Sequence, residues 1–183
     1  IAGGDGTIHL VVSELISVYK PACVPPVLIL KEGTMDNIAK SVHLKGRGPA
    51  LLKRLIKKVS DDKLISHEGR YTIKINDRYC FLFGTGFITN FLNKAYSGKE
   101  KGFIRNIQVA LMTVKEALVN QHNGDIFQLT EQEISIDKIK IPFKSIFGIL
   151  AGTVEHVGMS FSPLIDAVKS DGTFQIIILS MSP

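Results

Sequence analysis

The feature that most constrains this chain is a glycine-rich stretch, Gly3–Thr7, placed directly before an amphipathic segment. Its sequence, Gly-Gly-Asp-Gly-Thr, lets the backbone approach a ligand closely, because glycine has no side chain and tolerates positive φ. Apolar residues then recur from Ile8 to Tyr19 at helical spacing, with Thr7 at the predicted N-cap. A glycine turn that leads into a helix binds phosphate, because unpaired N–H groups and the helix dipole both attract an anion. The stretch therefore predicts a phosphate site, with an ordinary turn that caps a helix as the simpler alternative.

A second motif, Lys31–Ala39, follows the next apolar run, Val27–Leu30, which is predicted to be a buried strand. A short helix is predicted over Met35–Val42. The order of strand, glycine turn, helix, strand, turn and helix is typical of an α/β arrangement. In such folds the turns after parallel strands meet in a crevice at the carboxyl ends of the strands. We therefore expect both motifs to face the same ligand.

The pattern changes after a helix that Pro49 opens and that is predicted to end at about Val59. Short strands dominate the remainder: Tyr71–Ile75, Arg78–Phe83, Ile126–Leu129, Ile134–Ile136, Ile139–Ile141, Ser145–Ala151 and Phe174–Leu179. Two further helices are predicted, over Phe87–Tyr96 and Phe103–Asn120. The predicted fold class is a partial α/β domain with a parallel sheet in residues 1–59, followed by a β-rich domain with inserted helices in residues 60–183.

Taken together, the two motifs resemble those of the diacylglycerol and sphingosine kinase family. Four positions match the family motif Gly-Thr-x-Asn-Asp-aliphatic-Ala: Gly33, Thr34, Ile38 and Ala39. Asp36 and Asn37 stand in the reverse of the family order. Later segments follow in the family's order, since Phe81–Phe87 is similar to a strand that ends in a Gly-x-Gly-Phe turn. Asp171–Phe174 is similar to the Asp-Gly segment that opens a late strand of the family.

The resemblance implies an ATP-dependent lipid kinase that phosphorylates a diacylglycerol or sphingoid hydroxyl. It also implies that the β-rich domain is a mainly antiparallel β-sandwich, with ATP bound between the two domains. ATP and Mg²⁺ are the implied cofactors. The expected nucleotide-binding residues are Gly3, Gly4, Asp5, Gly6, Thr7, Gly33, Thr34, Asp36 and Asn37. Asp5 is also the best available candidate for the catalytic base. The implied Mg²⁺ ligands are the Asp171 carboxylate and the carbonyls of Val168 and Thr173, with an ordinary Asp-Gly turn as the alternative.

Both ends of the chain differ from what the resemblance implies for a whole kinase. Only Ile1 and Ala2 precede the glycine motif, where a full strand is expected. The Asp-Gly-Glu segment, whose Glu is the implied base of bacterial members, does not occur in the sequence. We therefore expect these residues to be part of a longer polypeptide.

Charge and composition bear on partners and location. Residues 40–58 contain seven Lys and Arg residues and no acid. The predicted helix therefore has a basic face, which suits either docking at an anionic membrane surface or plain solvation. The expected partners are a lipid substrate and a membrane surface, with a homodimer as a further option. Nucleic acid is not expected as a partner. Cys23 and Cys80 lack metal-ligand spacing, so a cytoplasmic protein without disulfides is predicted. The basic helix and the resemblance add a peripheral position at the membrane to this prediction.

Two other functions remain open from the sequence. A kinase for a soluble substrate, of the NAD kinase or phosphofructokinase type, shares the glycine motif, and Thr34–Asn37 partly matches a phosphofructokinase segment. A non-catalytic lipid- or nucleotide-binding module is suggested by the inverted pair Asp36 and Asn37. His156 is expected to make a structural hydrogen bond rather than to act in catalysis.

Overall fold

A computed structural model describes residues 1–20, 23–33, 35–96, 128–143, 145–157 and 161–180. Its contacts group the chain into two compact units. The first comprises Ile1–Leu82 and Gly152–Gln175, and the second comprises Phe83–Ala151 and Ile176–Pro183. This grouping follows spatial contacts and differs from the predicted domain bounds of 1–59 and 60–183, which stay a prediction.

The first unit begins with a strand, a helix and a second strand. These are β1 (Ala2–Gly3), α1 (Asp5–Tyr19) and β2 (Leu30–Lys31), and the two strands pair in parallel. The strand predicted over Val27–Leu30 therefore forms at its carboxyl end only. A parallel strand pair joined by a helix is the expected unit of an α/β fold.

The start of α1 differs from the prediction. The helix begins at Asp5 rather than Ile8, and its N-cap is Gly4 rather than Thr7. The physical reason is that the Gly4 carbonyl already accepts the first helical hydrogen bond, from the N–H of Ile8 at 3.1 Å. Gly4 itself has extended backbone angles, which suit an N-cap. Thr7 therefore lies within the first turn of the helix.

Two helices follow β2 in the first unit. They are α2 (Asn37–Ser41) and α3 (Gly48–Ser60), and α3 carries Pro49 in its first turn as predicted. The helix predicted over Met35–Val42 is shorter than expected. Asp36 has φ 50° and ψ 42°, a left-handed conformation that an α-helix does not contain, so α2 starts only after it.

A hairpin packs against α1. Its strands are β3 (Ile73–Ile75) and β4 (Arg78–Cys80), which pair antiparallel around a turn where Asn76 has φ 53°. Asparagine tolerates this left-handed conformation, which hairpin turns require. The Ser13 hydroxyl of α1 donates to the Tyr79 carbonyl at 2.7 Å and accepts from the Tyr79 N–H at 2.9 Å.

The hydrophobic core of the first unit joins segments that are far apart in sequence. Ile8, Ile38, Phe81 and Val154 form a buried cluster, with Ile1, Val12, Ile29 and Leu82 packed around it. Ile8 lies on α1 and Ile38 on α2, so burial of these side chains holds both helices over the parallel strands. Burial of this kind is the main stabilising contribution in a fold of this size.

The described residues of the second unit are mostly in β-strands. Its elements are β5 (Leu82–Gly84), α4 (Phe87–Tyr96), β6 (Thr130–Glu131), β7 (Ser135–Ile136), β8 (Ile139–Lys140), β9 (Ser145–Gly152) and β10 (Gln175–Ser180). Strands β10, β9 and β5 lie side by side, β6 pairs antiparallel with β9, and β7 and β8 form a separate antiparallel hairpin. Burial alternates along β9, as expected for a strand with one face in a core. The helix predicted over Phe103–Asn120 lies outside the described residues.

The described elements agree with the coarse fold prediction. A small parallel sheet with helices comes first, and antiparallel strand pairs follow. The closure of the later strands into a β-sandwich stays a prediction.

Candidate functional site

The two glycine motifs lie side by side because the strands before them are neighbours. In the parallel pair, Gly3 stands opposite Lys31. Both strands run in the same direction, so the turns that follow them leave the sheet at the same edge. This is the edge at which α/β folds bind ligands. The two motifs therefore lie next to each other, and their binding of one ligand in a shared crevice stays a prediction.

Gly4 and Gly33 bring the two turns into backbone contact. A Cβ on Gly33 would lie 2.4 Å from the Cα of Gly4, and a Cβ on Gly4 would lie 2.9 Å from the Cα of Gly33. Real Cβ atoms do not approach other atoms so closely, and both obstacles are backbone atoms that cannot rotate away. Each position therefore requires glycine because of the close approach of the other turn.

Asp5 links the two motifs by hydrogen bonds. One oxygen of its carboxylate accepts from the N–H of Asn37 at 3.0 Å, and the other accepts from the N–H of Ile38 at 3.0 Å. These N–H groups belong to the first turn of α2, which has no cap from its own N-cap side chain. A carboxylate is a favourable partner there, because it satisfies the free N–H groups and complements the helix dipole. Asp5 thus caps α2 from the start of α1.

The inverted pair, Asp36 and Asn37, takes two different positions. Asp36 Oδ1 accepts a hydrogen bond of 3.0 Å from the N–H of Gly33, which closes the turn of the second motif. The side chain of Asn37 is buried, and its Oδ1 has no hydrogen-bond partner among the described residues. A buried amide oxygen without a partner is unfavourable, so a ligand hydroxyl or a water molecule suits it. Thr34 lies outside the described residues.

The open side of the site is the first turn of α1. Gly6 and Thr7 are exposed, and a Cβ on Gly6 would meet no atom within 4 Å. Gly3 packs against Thr7, since a Cβ on Gly3 would lie 2.6 Å from the Thr7 hydroxyl oxygen. The N–H groups at the start of an α-helix have no partner within the helix. This turn therefore has the exposure and the donors that a phosphate group requires.

The predicted Mg²⁺ ligands lie in a groove of the first unit, apart from the glycine motifs in sequence. Asp171, Val168 and Thr173 line this open groove together. Within the part of the chain that the structure describes, no three His, Cys, Asp or Glu side chains are grouped as metal ligands. One carboxylate with two backbone carbonyls is nevertheless a set of hard oxygen donors, which suits Mg²⁺. The donor set therefore fits the ion.

Arg70 connects this groove to the second motif, and the sequence analysis missed it. Its side chain is largely buried, lines the groove and donates to the carbonyl of Ser41 at 2.6 Å, at the end of α2. It also pairs with Glu68. A single Arg in a loop carries no signal of such a contact, because its partner is the backbone of a distant helix. Arg70 and Asp5 thus hold opposite ends of α2.

The structure also places His156 and the two cysteines. His156 Nδ1 lies 2.6 Å from the hydroxyl oxygen of Ser162, so the expected hydrogen bond is confirmed. Cys23 and Cys80 are both free, as predicted. Burial raises the pKa of the Cys80 thiol, because an apolar environment disfavours the thiolate. Cys80 therefore stays a neutral core side chain near neutral pH.

Comparison with protein families gives a match to the part of the chain that holds both glycine motifs. Residues 1–64 match the family model of the diacylglycerol kinase catalytic domain. This segment is diacylglycerol kinase-like. The matched residues include the Gly4–Gly33 contact and the Asp5 cap of α2. The resemblance inferred from the sequence is confirmed.

Solved structures share the fold of this chain. Three, named as diacylglycerol kinases from Bacillus anthracis str. Sterne, have TM-scores of 0.64, 0.64 and 0.66, at 19%, 20% and 19% identity over 98% of this chain. The chain spans about half of their length, covering 53%, 52% and 55% of them. No curated protein gives a significant match. Within the described ranges, no helix has the length and apolar character needed to cross a membrane.

Proposed function

We propose that the chain is part of an ATP-dependent lipid kinase that transfers the γ-phosphoryl group of ATP to the hydroxyl of a diacylglycerol or sphingoid lipid. One observation carries the proposal. The carboxylate of Asp5 joins the phosphate-binding turn of the first motif to the start of α2 in the second motif. This arrangement lies within the segment that matches the diacylglycerol kinase catalytic domain.

The first motif binds the phosphate groups of ATP in this proposal. The exposed turn at Gly6 and Thr7 offers backbone N–H groups, the Thr7 hydroxyl and the positive end of the α1 dipole. Gly4 and Gly33 allow the two turns to touch, because neither carries a side chain, and this contact places the second motif beside the phosphate turn. The acidic side chain in the motif, Asp5, is directed to α2 rather than left to repel the phosphates.

The second motif binds the nucleoside part of ATP in this proposal. Asn37 Oδ1 is a buried acceptor without a partner among the described residues, and it suits a ribose hydroxyl or a water molecule that bridges to one. Gly33, Thr34 and Asp36 complete the set of nucleotide-binding residues. The Asp36 carboxylate fixes the turn by accepting from Gly33, so its main contribution is to the shape of the site.

The transfer itself is an in-line displacement. The lipid hydroxyl oxygen forms a bond to the γ-phosphorus, the bond to the β,γ-bridging oxygen breaks, ADP leaves, and a carboxylate takes the hydroxyl proton. Asp5 is the candidate base within this chain. Each of its oxygens accepts one amide hydrogen bond and retains a second lone pair, so the cap and the proton acceptor are compatible in one residue.

Mg²⁺ would be held by the Asp171 carboxylate and the carbonyls of Val168 and Thr173. When bound, Mg²⁺ supplies positive charge that offsets the charge of phosphate groups. The side chains around it keep their own functions: Arg70 fixes the end of α2 and pairs with Glu68, and the Thr173 hydroxyl donates to the Ser170 carbonyl at 2.8 Å. These contacts shape the groove.

The test is phosphoryl transfer by the full-length protein from labelled ATP, with Mg²⁺, to a panel of lipids in mixed micelles. We expect a labelled phospholipid product with diacylglycerol or sphingosine, and no product from the Gly33→Ala variant. An exposed loop variant, Ser66→Ala, is the matched control and should retain activity. Labelled NADP or sugar bisphosphate instead of lipid would favour the soluble-substrate kinase. Tight ATP binding without turnover on any acceptor would favour a binding module and contradict the proposal.

A further inference from the structure

Helix α3 packs on β2 along one line of side chains. Leu51 is buried and Leu55 is half-buried, and Gly48 packs beside the Glu32 side chain and the Leu30 Cβ. These contacts attach α3 to β2, the strand that carries the second motif. The remaining circumference of the helix, about two thirds of it, faces away from this anchor.

A row of apolar side chains on α3 is exposed and has no cover from the described residues. Leu52, Ile56 and Val59 recur at a spacing of four and three residues, so they lie on one side of the helix. Their side chains are exposed by 42%, 56% and 61%. Shortly after the helix, Leu64 is 91% exposed and Ile65 is 42% exposed. A contiguous exposed apolar surface of this kind marks an interaction site.

Cations border this row. On the helix surface, Lys53 and Lys57 lie next to Ile56 and are exposed. The Arg54 guanidinium lies beyond them and donates to the Lys45 carbonyl at 3.1 Å. No acidic residue occurs in the sequence from residue 40 to residue 60. We call the row Leu52, Ile56 and Val59, with Lys53 and Lys57, the α3 surface.

We propose that the α3 surface docks onto an anionic lipid bilayer, so that the kinase acts on substrate within the membrane; this deepens the proposed function and rests on it. An apolar row beside lysines matches the boundary between acyl chains and negatively charged headgroups. A second copy of this chain is a poorer occupant, because two α3 surfaces of the same positive charge repel each other. The bilayer supplies both the apolar layer and the opposite charge.

The position of α3 couples docking to the nucleotide site. The helix packs on β2, and the residue that contacts Gly48 is Glu32, the neighbour of Gly33. The α3 surface and the second glycine motif therefore belong to the same compact unit. Docking through α3 holds the second motif close to the membrane surface.

The test is binding of the full-length protein to vesicles of phosphatidylcholine with and without phosphatidylglycerol. The charge variant is Lys53→Glu with Lys57→Glu, and the apolar variant is Ile56→Ser. Matched controls on the β7–β8 hairpin are Lys138→Glu with Lys140→Glu, and Ile139→Ser, since these side chains are also exposed. We expect the charge variant to reduce partitioning onto anionic vesicles on the order of tenfold or more, and the controls to bind like the wild type.

Further readouts separate this proposal from the proposed function. Each α3 variant should keep activity on a short-chain diacylglycerol dissolved as monomers and lose activity on vesicles. Wild-type binding by the charge and apolar variants would overturn the docking proposal. Conversion of a dimer to a monomer by Ile56→Ser, without a change in vesicle binding, would overturn it in favour of a second copy. Vesicle binding without phosphoryl transfer to any lipid would leave docking standing and refute the kinase function.

Discussion

The N–H of Ile38 donates a hydrogen bond of 3.0 Å to Oδ1 of Asp5, across 33 positions of the sequence. The neighbouring N–H of Asn37 donates to the other oxygen of the same carboxylate. One acidic side chain in the first glycine motif therefore fixes the start of the helix in the second motif.

Asp5→Ala should lower both stability and nucleotide binding, because two N–H groups at the start of α2 lose their acceptor. Buried donors left without partners cost about 1–3 kcal/mol each. Asp5→Asn keeps one acceptor oxygen and should be intermediate in thermal unfolding. If Asp5 acts only as the catalytic base, Asp5→Asn would instead abolish turnover with an unchanged unfolding temperature and unchanged ATP binding.

Gly33→Ala should destabilise the first unit and abolish the thermal shift that ATP produces. The added Cβ would lie 2.4 Å from the Cα of Gly4 and 2.7 Å from Asp36 Oδ1, so the two turns must separate. Overpacking of this kind costs about 1–3 kcal/mol. Differential scanning fluorimetry with and without ATP measures both effects, with Ser66→Ala as the control. A normal ATP shift in Gly33→Ala would contradict the close contact of the turns.

The two substitutions that restore the family order of the second motif should differ in their effect on the free energy of unfolding. Asp36→Asn retains an oxygen that accepts from Gly33 and tolerates the left-handed backbone, so we expect a change in unfolding free energy within about 0.5 kcal/mol. Asn37→Asp places a charge at a side chain that is 4% exposed, which is unfavourable without a partner. Denaturant unfolding of both single variants measures the difference. Equal stability of the two would count against this account of Asn37.

Asp171→Asn should remove the thermal stabilisation that Mg²⁺ gives to the protein without nucleotide. The carboxylate is the one charged ligand in the implied set, and an amide is a much weaker ligand for this ion. Asp62→Asn is a suitable control, because Asp62 is an exposed turn residue outside the groove. Retention of the full Mg²⁺ effect in Asp171→Asn would place the ion elsewhere.

Thiol labelling should distinguish the two cysteines. Cys23 is exposed, whereas Cys80 is buried and the pKa of its thiol is raised by burial. Because the pKa of the folded thiol is raised, the thiol of the unfolded chain ionises first as the pH rises. The contribution of this thiol to the stability of the fold is therefore fully present below its ordinary pKa. That contribution is lost as the pH rises toward the folded pKa. Mass spectrometry at pH 8 should find rapid modification of Cys23 and modification of Cys80 only after denaturation; equal rates would contradict the burial of Cys80.

Much of the local structure was predictable because it depends on neighbouring residues. Periodicity predicted α1, Pro49 indicated the start of α3, and the two strands of the first hairpin were predicted within Tyr71–Ile75 and Arg78–Phe83. The N-cap was wrongly predicted, since Thr7 is a common capping residue whereas Gly4 has no side chain that signals a cap. The short α2 was also overestimated, because nothing in the sequence requires Asp36 to adopt a left-handed backbone.

The sequence by itself determined that a glycine-rich turn starts a helix, that a second glycine turn follows the next strand, and that a basic amphipathic helix comes after both. These properties follow from residue type and spacing. Only the tertiary structure decided that Asp5 caps α2, that Gly4 touches Gly33, and that the apolar row of α3 is uncovered. The Asp5 cap and the Gly4–Gly33 contact join residues about 30 positions apart. They exist only once β1 and β2 pair in parallel and set the register between the motifs.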